Sequence, residues 1–243
     1  MNAPREILGR RAGVRAFTLI EMMVVVAIIS ILMTIGVIGM NAIGGKSVSG
    51  GVSSAEALFE EARYLAVGKR VRTCVLVARS LNINRPDELR RLLVAHEEIN
   101  ATTGAPLAPT DPTPRWVITS RGSVLPKDVY FSTSFSKKDH KAATDLDFVT
   151  SADLVGLKAS YAGTYFVYEF DADGIARHPG ASFVIGIGKR NQNVAATGAN
   201  RPRVDASAAK RDFGGFLVMR NGSVSVFRDP DQIFGTNPPT TYF

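Results

Sequence analysis

Glu21 stands four residues inside FTLIEMMVVVAIISILMTIGVIGM, Phe17 to Met40, and a carboxylate in such a run needs a chemical reason. Near the centre of a bilayer an ionised side chain costs at least ~2.5–3.5 kcal/mol, and less toward an interface. If the chain is cut between Ala16 and Phe17, the new α-ammonium of Phe17 lies about one helical turn from Glu21, along the same face. The fresh terminus also presents unsatisfied helix N–H groups and the positive end of the macrodipole. A Phe17 amine met by Glu21 of a neighbouring subunit would set axial register between packed helices. The alternative is a carboxylate that snorkels to the interface with no partner.

Other residue types that do chemistry are present without the spacing that chemistry requires. His96, His140 and His178 are scattered, and none falls in HExxH or a similar metal pattern. Cys74 is the single cysteine, so no intramolecular disulfide is available, and its apolar neighbours in VRTCVLVA predict a buried small residue. Asp171-Ala172-Asp173-Gly174 resembles the start of a calcium loop, but Ile175 occupies the fifth position, where an oxygen ligand belongs, and Ser182 the twelfth, where an acidic residue belongs. The same residues predict a hairpin turn. Gly186-Ile187-Gly188-Lys189 lacks the phosphate-loop frame, and no GxSxG occurs. The expectation is no catalytic residue, no metal and no cofactor.

One cationic cluster offers a binding chemistry instead. Lys189, Arg190, Arg201 and Arg203, followed by Lys210 and Arg211, would hold phosphates if they converged. Asp205 and Asp212 dilute them, and no aromatic residue between Lys189 and Asp212 offers a base a stacking surface. A solvated loop is the plainer reading. A DNA-binding or adhesive tip subunit is the second functional reading, and DNA the partner not favoured.

The elements that position these residues begin with the apolar run. Met22 to Met40 is 19 residues without a charge. As a helix it covers about 28 Å, close to the roughly 30 Å of a bilayer's hydrocarbon core. Arg5, Arg10, Arg11 and Arg15 precede it and Lys46 is the first cation after it, which predicts a single-pass, N-in orientation. A cleaved secretory signal is the alternative, but its apolar region is usually only about 7–15 residues. Of the net +7, four arginines and Glu6 in the first 16 residues account for +3, and the remaining +4 does not by itself imply a nucleic-acid partner.

After the span, GGKSVSGG (Gly44 to Gly51) predicts a bend. Ser53 and Glu56 fit a capping box, and Leu58, Phe59, Ala62, Leu65 and Ala66 predict an amphipathic helix from about Ser54 to Arg70. Strands are predicted at Val71–Arg79, Arg90–His96, Arg115–Ser120, Val129–Ser132, Tyr165–Asp171, Ala181–Gly186, Gly215–Arg220 and Ser223–Phe227. Asn82–Pro86 reads as a turn and the proline-rich Ala101–Pro114 as a surface loop. Asn221-Gly222 and Asp173-Gly174 predict two hairpins, the second joining the strands of YEFDADGIARHPGASFVIGIG. Asp145–Ala159 reads equally as a short helix or a loop.

Phe17-Thr18-Leu19-Ile20-Glu21, with a basic leader before it and an uncharged run after it, resembles the class III signal of the type IV pilin family. SRGSVLPKDVYF, EFDADG and GFLVMRNGSVSVF resemble, in that order, the head of the GspH/FimT group of minor pseudopilins and minor pilins. The resemblance implies an α+β fold: a long N-terminal α-helix, membrane-spanning in its first half and amphipathic in its second, packed on a mostly antiparallel β-sheet head. It divides the chain into a leader (1–16), a transmembrane assembly helix (17–45), a bend with an amphipathic helix (46–70) and a β-rich head (71–243). It further implies cleavage between Ala16 and Phe17 by a prepilin peptidase, N-methylation of Phe17 by the same enzyme, and pairing of Phe17 with Glu21 across subunits. The family usually has glycine before the cut, where this chain has Ala16, with Gly13 three residues back. The implied partners are that peptidase, other pilin or pseudopilin subunits, an inner-membrane assembly platform and membrane lipid. The implied location is the inner membrane, with the head periplasmic or extracellular, and the implied work is structural: a subunit of a type II secretion pseudopilus or type IV pilus.

Overall fold

The computed structural model describes residues 44–81, 87–100, 102–104, 115–139, 144–188 and 213–228, together with residues 20, 22–24 and 28. The chain divides into two compact units, Met1–Ile43 and Gly44–Phe243. In the first, the described residues are helical and their side chains, all large and apolar, are 51–71% exposed. Most of the span predicted at Met22–Met40 lies outside the described residues. Among the described residues, no helix is long and apolar enough to cross a membrane.

The second unit opens with helix α1, Gly44–Lys69. GGKSVSGG is therefore helical, where its composition predicts a bend, and Ser53 and Glu56 sit inside the helix and not at its cap. Packing explains both corrections. Val48 and Val52 are buried one turn apart, and full burial of such a side chain stabilises by roughly 1.5–3 kcal/mol, against about 1 kcal/mol lost per helical glycine. Gly51 is small for a reason. A β-carbon there would lie 2.8 Å from Ile185 Cδ1 and 3.3 Å from Pro126 Cδ. The buried stripe continues through Ala55, Phe59, Ala62 and Ala66 at the three- and four-residue spacing of one helix face. Arg70, at φ 54°, takes the left-handed conformation that ends many helices.

Two sheets follow. The first contains β1 (Thr73–Leu81), β2 (Arg91–Glu97), β3 (Trp116–Ile118), β4 (Ser123–Val124), β6 (Phe148–Thr150), β7 (Leu154–Val155) and β8 (Gly163–Phe170). Its order is β6-β8-β1-β2-β3-β7, with β4 also on β2. All its pairs are antiparallel except β3 with β7. The second holds β5 (Val129–Phe131), β9 (Ser182–Ile187), β10 (Phe213–Val218) and β11 (Val224–Phe227), in the antiparallel order β11-β10-β9-β5. The fold is α+β and mostly antiparallel.

Asn221-Gly222 closes the β10–β11 hairpin, with Gly222 at φ 77°. Asp173-Gly174 does not close a hairpin between β8 and β9, which belong to different sheets. The turn itself forms: Asp171 Oδ1 accepts from Asp173 N–H (3.0 Å) and Ile175 N–H (2.8 Å). After a single bridge, Phe170 to Ala176, the chain leaves the first sheet and Gly180 N–H donates to Val218 O at 2.7 Å. The crossing lets strands from both sheets face α1. Phe59, fully buried, meets Tyr168 and Phe170 of β8, Phe183 of β9 and Phe216 of β10 with ring centroids 4.8–6.2 Å apart, all edge-on. Asp145–Ala159, undecided from sequence, contains β6, β7 and a 3-10 turn at Ser151–Asp153.

β1 is apolar on both faces, and the structure uses both. Val75 and Val77 join the core beneath α1, while Cys74, Leu76 and Ala78 join a second core with Leu93, Ala95, Trp116, Leu154, Tyr165 and Val167. This outer layer is why TCVLVA reads as a continuous run and not as an alternating one.

Candidate assembly surfaces

Ala16, Phe17 and Glu21, the residues of the expected processing and pairing chemistry, lie outside the described residues. So do the cationic Lys189, Arg190, Arg201 and Arg203, and His140. Ile20 and Met22, the chain neighbours of Glu21, are helical and expose most or about half of their apolar side chains.

The described histidines and cysteine are occupied structurally. Cys74 is fully buried, and burial, with the Glu169 carboxylate second, pushes its thiol well up, away from the reactive thiolate. His96 is buried at the end of β2, with Nδ1 2.7 Å from Glu97 O and Nε2 3.0 Å from Lys69 Nζ. A carbonyl only accepts, so Nδ1 donates and Nε2 is left to accept from the ammonium. Beside it Arg72 clamps Glu97 through two bonds of 2.9 and 2.6 Å, with Glu97 only 3% exposed. Together these contacts tie the last residue of α1, and Arg72 three residues beyond it, to β2.

A second polar group lines a hollow of about 250 Å³ on the outer face of the first sheet, beside Trp116 and Val167. Five of its charged or titratable side chains are joined to one another. Lys138 Nζ donates to Asp147 Oδ2 at 2.5 Å, His178 Nε2 lies 3.4 Å from the same oxygen, and Arg177 donates to Glu169 at 2.6 Å. Burial, with the Lys138 ammonium second, lowers the His178 pKa below its ordinary value. Among the described residues, no group of three or more His, Cys, Asp or Glu side chains is arranged to hold a metal ion.

A groove of about 390 Å³ lies between the first turns of α1 and the β10–β11 edge. Val48, Ser49, Val52, Ser53 and Glu56 form its helix side, and Phe213, Gly214, Val226, Phe227 and Arg228 its sheet side. The helical course of GGKSVSGG, where its composition predicts a bend, builds the helix wall of this groove. The signal available was the four-residue spacing of Val48 and Val52, continuous with Ala55 and Phe59.

The family model of the prokaryotic N-terminal methylation motif matches residues 11–37. That segment contains Ala16, Phe17 and Glu21 and most of the uncharged run. The motif indicates a type IV pilin-like or pseudopilin precursor, a membrane-anchored subunit later assembled into a filament. It implies processing by prepilin peptidase and assembly with other pilins. Comparison with curated proteins and with solved structures finds no match to the chain.

Proposed function

We propose that this chain is a minor pilin or pseudopilin of the GspH/FimT type, a structural subunit of a type II secretion pseudopilus or a type IV pilus. The methylation motif, with Glu21 as the single charge in an otherwise apolar run, carries the reading. Cleavage between Ala16 and Phe17 frees an ammonium that the same enzyme methylates. Glu21 of a neighbouring subunit then pairs with it in a medium of low dielectric, where Coulomb attraction is far stronger than in water. The apolar helix holds the precursor in the inner membrane with the leader in the cytoplasm and the head outside. Helix packing draws the processed subunit into the filament. The chain is the substrate of an enzyme and performs no catalysis of its own.

Intact-mass measurement of the protein purified from membranes tests this directly. The expected product lacks residues 1–16 and carries one added methyl on Phe17. A chain that still begins at Met1, or one that starts near residue 45, removes the reading. Glu21→Ala should insert and be processed yet fail to enter filaments, and normal incorporation of that variant would refute the pairing.

A further inference from the structure

β11 is the last strand of the second sheet, and among the described residues nothing pairs with its outer edge. The ladder identifies which groups face outward. Met219 N–H donates to Ser223 O at 2.8 Å, whereas Val218 exchanges hydrogen bonds with Ala181 O and Gly180 N–H on the side away from β11. Bonded pairs recur at every second position of an antiparallel ladder, so Leu217 with Ser225 and Gly215 with Phe227 are the bonded pairs. Val224 and Val226 therefore turn their N–H and C=O groups outward.

The other terminal strands are guarded. β6 is three residues long, and the Arg79 guanidinium of β1 covers its Phe148 ring at 4.4 Å. At β5 the Phe131 N–H donates to Leu89 O at 2.7 Å. β7 is two residues long. β11 is longer and carries no such block: Val224-Ser225-Val226-Phe227 contains no charge and no proline, and Val226 is 52% exposed.

The groove of about 390 Å³ runs beside this edge. Val226 pairs with Phe216, so it lies on the sheet face that packs against α1. Gly214 shares that face, where a β-carbon would lie 3.3 Å from Val48. The helix thus flanks the place that a further strand would occupy. Alternate side chains of such a strand would fall between β11 and Val48, Ser49, Val52 and Ser53. Glu56 and Arg228, on the two walls, have no ion pair with each other or with another described residue.

We propose that β11 accepts an extended strand from an adjacent, different pilin-like subunit of the same filament. The strand is uncharged where it pairs, apolar at the alternate positions facing Val48, Val52 and Val226, and flanked by charges that answer Glu56 and Arg228. The inference rests on the reading of the chain as a filament subunit. A second copy pairing β11 to β11 about a two-fold axis would close into a dimer and leave no edge for growth.

The test places a photoreactive residue at Ser225 of the full chain, expressed with its own assembly system. Illumination should give an adduct with a different pilin-like subunit, mapping to an extended uncharged stretch. Val226→Pro, which removes one outward N–H and leaves the β10 ladder intact, should abolish the adduct, and Val226→Ala should retain it. If the proline variant does not accumulate, Val226→Lys serves as the edge-blocking change. An adduct to residues 229–243 of the same chain, a symmetric adduct between two Ser225 positions, or an adduct indifferent to both blocking variants overturns the proposal. So does the lack of any adduct in a chain whose mass shows a trimmed, methylated N-terminus, and that outcome leaves the filament-subunit reading intact. A chain still beginning at Met1 takes both down.

Discussion

Phe59→Ala probes the packing that joins α1 to both sheets. The ring is fully buried and edge-on to four aromatic neighbours from three strands, so its removal deletes apolar burial and leaves a cavity that rigid rings cannot close. Truncations of this kind cost about 3–5 kcal/mol. Each aromatic pair adds roughly 0.5–1.5 kcal/mol beyond area, which favours the upper part of that range. With a urea dependence of about 2 kcal/mol per molar, the unfolding midpoint should fall by about 2 M. The fluorescence of Trp116 is a suitable readout. It is the single tryptophan, 1% exposed, and it lies in the outer core, away from Phe59. A shift in its transition therefore also shows that the two cores unfold together. A midpoint displaced by less than about 0.5 M, equivalent to roughly 1 kcal/mol, would refute the account of Phe59 as the anchor of the helix.

Gly122→Ala should destabilise by about 2–5 kcal/mol, because the position has φ 64° and a β-carbon would sit 1.8 Å from Leu92 O; a melting temperature equal to wild type would contradict this. Arg72→Ala should cost about 3–5 kcal/mol by leaving the buried Glu97 carboxylate uncompensated, and Glu97→Gln combined with it should recover part of the loss in urea titrations. The His178 pKa is lowered in the folded chain from an ordinary value of 6.5, so the unfolded chain binds the extra proton first. Stability should accordingly be full above that value and decline as pH drops below it, and His178→Gln should flatten this part of the profile; parallel profiles for the two proteins between pH 7 and 5 would sink the assignment.

The strands of the head were largely legible because their residues carry the signal locally. Thr73–Leu81, Arg91–Glu97 and Phe213–Val218 are rich in apolar and β-branched residues, and Asn221-Gly222 suits only a tight reversal. What stayed illegible depended on partners distant in the chain. Gly51 looks like a helix breaker until Ile185 and Pro126 are seen pressed against it. Asp173-Gly174 does make a tight turn, but its sequence says nothing about which sheet claims Ser182–Ile187, since β8 and β9 are both apolar enough to be buried on two faces. β4, β6 and β7, two or three residues each, are too short for periodicity and exist only as pairings. The groove followed the same rule, since its two walls are separated by most of the chain. The N-terminal methylation motif was the reverse case, legible from residue types and spacing alone.

Phe59 and the buried stripe around it also determine how the head bears tension. Val48, Val52, Ala55, Phe59, Ala62 and Ala66 engage the sheets at nearly every turn, and Thr73 Oγ1 donates to Ala62 O at 2.8 Å. A tug along the axis from Gly44 must slide all these rows at once, whereas a sideways tug frees them one turn at a time. The helix is therefore seated like a tenon in its mortise, firm against extraction and weak against prying.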